Sequence, residues 1–435
     1  LKEVDFTIDE VEFNFWTNTL YLRDITIDYH NDNIEGSDKL ITVSAQGINW
    51  YNLIINNNIQ VNEVNLENDV FDYKTIDLIK NKKVDKLKVS SFKNKIPISV
   101  KQINFSSNLI HFQNDTLEHF ISKNTFSLRN IYIDSVKTEI PWKTFSLNLD
   151  NSTLLNKKDT LFYSKNIQFT QKDSTLIIQN IAFFNKKKKA IFIKEIDLQK
   201  IQINQYVKTK KLHLDAFYIQ EAYLNLNQLN KRKPTNLQEF NLQKELPKLL
   251  KPFCEELKIH SFSIKKSDIS YTNDIDSKKI NNITFSLKNI HIHDHSYLDK
   301  KKILFSDSIN VGFEDFVSNN QHYSLSFLLG NIHVNSNDTI FYFYDFNYSK
   351  NEQLSLFIPQ FSIKNIKWKK LWQEKMIDIE SILVQSPELY MIGKEAKNKN
   401  SNSSKSLNEM ISKIGKGLKI KNIKVRNGNF SYQNN

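Results

Sequence analysis

Glycine, proline, cysteine and methionine are all scarce in this chain of 435 residues, with 8 Gly, 7 Pro, 1 Cys and 3 Met. So few glycines argue against glycine-rich active-site loops. No P-loop, dinucleotide fingerprint, G-x-S-x-G or H-E-x-x-H pattern occurs. The single cysteine, Cys254, excludes an internal disulfide framework and reads as a core residue in a Leu-rich helical stretch. Alanine, the best helix former, is also rare. β-Branched and aromatic residues are abundant, with 30 Phe and 17 Tyr, and this favours strands. No run of about 18 apolar residues is present to span a bilayer as a helix, and no signal-peptide pattern opens the sequence. A chain that starts at Leu1 and stops in a strand-like pattern at Asn429 to Tyr432 reads as a fragment or a processed protein.

What is present points to a sheet protein. Hydrophobic residues make up 40% of the chain, which excludes wholesale disorder. The length alone is compatible with about two to three domains. The net charge of +12 comes mostly from scattered lysines, densest at Lys186 to Lys189 and Lys300 to Lys302. Lysine of this kind covers the wet face of sheets and discourages edge pairing. Attraction to anionic lipid headgroups is a second reading. No recognition motif accompanies the charge, so no nucleic-acid partner is expected.

A six-residue pattern recurs ten times: apolar, any, polar or acidic, apolar, any, apolar. It starts at Leu22, Val61, Val100, Leu128, Ile178, Ile193, Leu287, Leu329, Ile363 and Ile420. In a strand, residues two apart share a face. Phe126 and Leu128 therefore point together, as do Ile131 and Ile133. The three-residue step from Leu128 to Ile131 would flip the face. A bulge or bend at Arg129-Asn130 restores it, and Asn suits such a position. The pattern predicts strand, bend, strand, with one apolar face maintained throughout.

A longer repeat lies on top. Leu257, Ile259, Phe262, Ile264, Ile269 and Tyr271 recur 161 residues on as Leu418, Ile420, Ile423, Val425, Phe430 and Tyr432. The same six recur 159 residues earlier as Ile98, Val100, Ile103, Phe105, Ile110 and Phe112. Three diverged units are expected: 1–116, shortened at its front; 117–275, with a short helix near 242–257; and 276–435, with a short helix near 406–417. Leu246, Leu249, Leu250, Phe253 and Leu257 follow helical spacing, with Pro247 in the first turn and Pro252 near the end. Ser406 and Glu409 form a capping box for the second helix. Polar stretches at Asn230 to Asn236 and Lys394 to Ser406 precede the two helices. The expected fold class is all-β with a few short helices, an elongated, curled antiparallel repeating sheet that forms an apolar groove. Packed sandwiches are the alternative.

The repeated strand-bend-strand motif resembles the AsmA-like family of bacterial envelope proteins, related to TamB-type lipid conduits. Val11 to Ile27 is similar to the segment that follows the membrane anchor in that family, and Ile423 to Tyr432 is similar to a family strand pair. The resemblance covers nearly the whole chain. It implies an inner-membrane anchor preceding Leu1, a periplasmic body, and a β-groove that shields phospholipid acyl chains in support of outer-membrane biogenesis. Outer-membrane assembly components would be further partners. Lining candidates are Phe126, Leu128, Ile131, Ile133, Phe262, Ile264, Phe285, Leu287, Ile290, Ile292, Ile423 and Val425. Two other roles stay open, a structural or adhesive β-repeat protein and a periplasmic scaffold or chaperone for outer-membrane proteins.

No enzyme activity and no cofactor are expected. His291, His293 and His295 would share one strand face and offer a weak zinc or copper site; a wet strand face is the simpler reading. Glu255-Glu256 reads as a solvated helix surface, Gly415-Lys416-Gly417 as a helix end, and the sequon at Asn114 as a product of Asn-rich composition. Trp16, Trp50, Trp142, Trp368 and Trp372 are assigned to core or groove packing, with membrane interfaces as the other possibility.

Overall fold

The computed structural model describes residues 3–31, 34–74, 97–113, 116–133, 143–185, 188–228, 242–296, 299, 302–322, 324–338, 340–351, 353–374, 376–393 and 417–434. The protein is all-β, and its described residues form 22 strands and a few short helices. It divides into two compact units at Lys188/Lys189.

The first unit contains β1 (Glu3–Asn14), β2 (Thr19–Asn31), β3 (Ile34–Gln46), α1 (Trp50–Ile55), β4 (Ile59–Lys74), β5 (Ile98–Gln113), β6 (Leu117–Ile133), β7 (Thr144–Asn156), β8 (Asp159–Thr170) and β9 (Thr175–Asn185). The second opens with β10 (Lys188–Gln199), α2 (Ile203–Thr209), β11 (Lys211–Asn225), α3 (Leu242–Leu250), β12 (Glu256–Thr272) and β13 (Asp276–His293). It continues with β14 (Ser308–Asn320), β15 (Leu325–Leu329), β16 (Ile332–Asn335), β17 (Ile340–Lys350), β18 (Leu354–Ile366) and α4 (Trp368–Glu374). β19 (Met376–Gln385), β20 (Glu388–Gly393), β21 (Gly417–Arg426) and β22 (Asn429–Asn434) close it.

The sheet is mixed, with parallel pairs beside the expected antiparallel ones. Most neighbours are antiparallel hairpin partners, as in β5–β6 and β12–β13. β4–β5, β11–β12, β19–β21 and β20–β22 are parallel. A parallel neighbour needs a crossover rather than a tight turn. In chain order, the crossovers fall between Lys74 and Ile98, between Asn225 and Glu256, and between Gly393 and Gly417. The recurring positions at 98, 257 and 418 each fall on the strand that a crossover leads into. A short helix comes one strand earlier in each case: α1 before β4, α2 before β11 and α4 before β19.

The bend has a distinct backbone signature. Asp24, Asn130, Asn180, Asn289 and Asn365 have φ between 49° and 54°. Each is the third residue of a six-residue copy. Left-handed backbone is costly for most L-residues, and Asn and Asp tolerate it best. In the copies that carry Glu63, Gln102 and Glu195 at that place, the residue has negative φ. The pairing explains why only some copies turn left-handed. Val100 pairs with Ile131 and Gln102 with Arg129, so Asn130 faces Lys101 across the bend. One strand supplies the left-handed residue, and its antiparallel neighbour bends opposite it.

Two helix expectations change. The helix expected near 242–257 ends at Leu250, and a turn through residues 251–253 leads to a strand from Glu256. Pro247 is its sixth residue, not part of its first turn. Pro252 falls just past its end, where a ring without an N–H donor does no harm. Leu257 therefore belongs to β12, and Glu255-Glu256 does not lie on a helix surface. Gly417 opens β21. The rest of the helix expected near 406–417, the polar stretches at Asn230 to Asn236 and Lys394 to Ser406, Asn114, Trp142, Lys186, Lys187, Lys300 and Lys301 lie outside the described residues.

Candidate apolar binding face

The bend resets side-chain alternation as the spacing requires. In β13, Leu287 is buried, Lys288 and Asn289 are both exposed, and Ile290 and Ile292 are buried. β6 repeats this, with half-buried Leu128, exposed Arg129 and Asn130, and buried Ile131. Two consecutive exposed residues between two inward ones are what a face-restoring bend produces.

In the second unit the apolar residues stand in rows across the strands. On one side of the bend, Leu214, Ile259 and Ile290 are in register across β11, β12 and β13, and all three are buried. Leu212, Leu257 and Ile292 form the next row. On the other side, Phe217, Phe262, Leu287 and Ile309 are in register, followed by Ile219, Ile264, Phe285 and Val311. Phe217 meets Phe262 edge-on with ring centroids 5.2 Å apart, and Phe262 meets Phe285 at 6.1 Å.

These ring contacts run sideways along the face, to the next strand. The same holds for Phe316–Phe327–Phe346–Phe361 within this unit and for Phe126–Phe145–Phe169 in the first. Phe126, Phe262, Ile264 and Phe285 stay only half-buried despite their neighbours. A side chain in the middle of a packed two-layer core touches residues on all sides and is lost from solvent. The ring contacts of these residues run to the adjoining strands, and each side chain keeps part of its surface in solvent.

The twelve lining candidates thus fall into three environments. Ile131, Leu287, Ile290 and Ile292 are buried close to the bend. Phe126, Leu128, Ile133, Phe262, Ile264 and Phe285 are half-buried along the face. Ile423 and Val425 on β21 are 62% and 60% exposed.

A second line of bends gave no signal in the apolar spacing. Lys123, Asn151, Lys266, Asn282, Asp315 and Asp345 also have positive φ, and the ladders shift register beside several of them. Small polar side chains are buried there and bond the backbone that the bends release. Ser107 Oγ donates to Leu109 O at 2.9 Å, and Asn124 Nδ2 donates to Ile121 O at 2.9 Å. Ala222 N donates to Ser267 Oγ at 3.0 Å. A buried polar group needs such a partner.

The histidine run does not form one face. β13 ends at His293, and His295 lies in the following turn, its N–H donating to His293 Nδ1. His291 Nε2 sits 3.1 Å from Glu256 Oε1. Among the described residues, no group of three His, Cys, Asp or Glu could hold a metal ion. Glu256 instead gathers two cations, Lys258 Nζ at 2.5 Å and Lys211 Nζ at 3.3 Å, with His213 Nε2 3.8 Å away. The hydrogen bond from Lys258 leads in holding the Glu256 carboxyl down at about 2. Burial pushes the His291 pKa below its ordinary value, assisted by His293 and Lys258. Cys254 is buried just past α3, and burial raises its thiol pKa.

The tryptophans separate. Trp368 packs edge-on against buried Phe341 with centroids 5.4 Å apart. Trp16 is 98% exposed, which corrects its assignment to core or groove packing.

The fold defines a class of protein, a repeating β-sheet with one bent apolar face. No protein-family model matches the chain, and no curated protein matches it.

Proposed function

We propose that the chain is a lipid-binding protein of the AsmA-like type that holds phospholipid acyl chains against its apolar face. One observation carries the reading. The rows Phe217–Phe262–Leu287–Ile309 and Ile219–Ile264–Phe285–Val311 present aromatic and aliphatic side chains that, apart from buried Leu287, stay partly open to solvent. Burying apolar surface is favourable by about 25 cal/mol per Å², so such a face gains by taking an apolar ligand. Each methylene laid on it contributes roughly 0.8 kcal/mol, so a two-chain lipid is held where a single chain is marginal. Binding is passive and not catalytic: acyl chains lie along the rows while headgroups stay wet. The placement that goes with this reading is the periplasm, with an inner-membrane anchor outside the sequence given and a role in outer-membrane biogenesis.

The test is native mass spectrometry with lipid extraction on protein purified in mild detergent. Phe285→Asp places a charge on the face; Ser286→Asp places the same charge on the opposite side of β13. Loss of co-purified phospholipid in F285D and its retention in S286D are expected. Equal lipid content in both variants and the unmodified chain would sink the reading.

A further inference from the structure

We infer that the tip made by the β1–β2 turn and α1 docks onto the neutral interfacial layer of a lipid bilayer. The turn at residues 15–18 and the helix are locked together. Asn18 Nδ2 donates to Ile48 O at 2.6 Å, Gly47 N donates to Asn18 O at 3.0 Å, and Trp50 Nε1 donates to Asn18 Oδ1. Phe13 packs edge-on against both Phe15 and Trp50. Asn14 Oδ1 accepts from the N–H groups of Trp16 and Thr17, and Asn49 caps α1 by accepting from Asn52 N. Asn14, Asn18 and the Trp50 indole N–H thus spend their polar groups within the tip.

The largest outward side chains are apolar, and the polar ones exposed beside them, Thr17, Asn49, Asn56 and Asn57, carry no charge. Trp16 is 98% exposed, Phe15 84%, Ile54 74%, Tyr51 69% and Ile55 62%. Charge is absent. Residues 13–22 and 40–62 contain no Asp, Glu, Lys or Arg, in a chain that is 25% charged. The equivalent helices show that the fold does not demand this. Beside α2, Lys200 pairs with Asp215 at 2.6 Å. Beside α4, Lys370 pairs with Asp378 at 2.9 Å and Lys367 with Asp378 at 3.5 Å. Only the α1 tip, of these three, has lost its charges.

Three physical points select a bilayer as the occupant. Tryptophan and tyrosine favour the headgroup level of membranes, where an amphipathic ring has both media. Charged side chains are the ones expelled from the hydrocarbon boundary. The patch is also small: about five outward side chains, against roughly 20–30 residues a side in a stable protein interface. The nearest charges on β1, Glu10 and Glu12, are acidic and engage Arg23 at 3.6 and 3.0 Å. An anionic surface would therefore be repelled, and the lipid is zwitterionic.

The experiment is flotation of the full chain with phosphatidylcholine vesicles, with tryptophan fluorescence read in parallel. The chain should float, its emission should shift to the blue, and added salt should not release it. I54N/I55N changes only exposed side chains outside the contacts that lock the tip, so its thermal unfolding should match the parent, whereas F15S/W16S also removes the Phe13–Phe15 contact and is read beside its own unfolding curve. Each double variant should weaken partition by about tenfold or more. No flotation of the parent, or equal flotation of the variants, overturns the proposal. So does parent self-association in the absence of vesicles that the variants lose, because the patch is then a contact between copies. The proposal does not rest on the open-face reading: a chain that floats yet carries no co-purified lipid upholds the tip and sinks that reading.

Discussion

His260 and Asn289 face each other at the bend between β12 and β13, with His260 Nδ1 2.7 Å from Asn289 Oδ1. Asn289 has φ 54°, and the flanking pairs Ile259–Ile290 and Ser261–Lys288 skip over both residues. The bend thus depends on a backbone conformation that Asn accepts and β-branched residues do not. Asn289→Val should destabilise the protein by about 1–2 kcal/mol, while Asn289→Gly should leave it near the parent value. Urea unfolding of the two variants decides the matter. Equal stability of the two would mean that the left-handed residue is not what shapes the bend.

Glu256 gives a pH dependence with a definite sign. Its folded pKa of about 2 lies below the ordinary 4.5 because Lys258 and Lys211 favour the charged form. The unfolded chain takes up this proton at higher pH than the folded one. The contribution is therefore complete above about pH 4.5 and is lost as pH falls from there toward 2. Glu256→Gln should lower the melting temperature at pH 6, and the gap to the parent should close in that acid window. A gap that stays constant from pH 6 to pH 2.5 would show that the carboxylate is not stabilised by its lysines.

Phe341 and Phe262 should respond very differently to truncation. Phe341 is 1% exposed under Trp368, and Phe341→Ala should cost about 3–5 kcal/mol, as for a large side chain removed from a packed site. Phe262 is half-buried, with Phe217 and Phe285 as its ring neighbours on the adjoining strands, so Phe262→Ala leaves no closed cavity and should cost clearly less. Denaturant titration of both variants measures this. A Phe262→Ala cost as large as that of Phe341→Ala would mean that the face is packed rather than open.

Much of this architecture is legible in the sequence because a strand bend leaves a trace in apolar spacing. The step from Leu128 to Ile131 locates Asn130, and that from Leu287 to Ile290 locates Asn289. The parallel pairs are not legible. A strand such as β12 shows the same two-residue alternation toward parallel β11 as toward antiparallel β13. The second line of bends is silent for a related reason: it is built from Lys123, Lys266 and small polar residues such as Ser107 and Ser267, which read as ordinary wet-face positions. The apolar stripe through Leu250, Phe253 and Leu257 extends a helix beyond the true end of α3, yet Leu257 also alternates with Ile259 as a strand does, and Pro252 lies between the helix and that strand. His295 was grouped with His291 because spacing alone does not show that β13 stops at His293. The exposure of Trp16 had a signal in the charge-free runs at 13–22 and 40–62, which only the comparison with the ends at α2 and α4 makes informative.

The face assignment can be read one residue at a time along β13. The only native cysteine, Cys254, is buried, so Cys254→Ser provides a background for single cysteines. Maleimide should label cysteines at buried Leu287 and Ile290 slowly with or without lipid, bound acyl chains should slow the half-buried Phe285 site, and the sites at Ser286, Lys288 and Asn289 should be unchanged by lipid. The two unprotected neighbours, 288 and 289, are the diagnostic part. A regular strand would protect 285, 287 and 289 and leave 290 open, because successive side chains point to opposite faces. The left-handed backbone at Asn289 moves protection one position on, to Ile290. Protection at 289 and not at 290 would show that the two sides of the bend do not share one apolar face, and the lipid-holding role would then lose the continuous surface on which it depends.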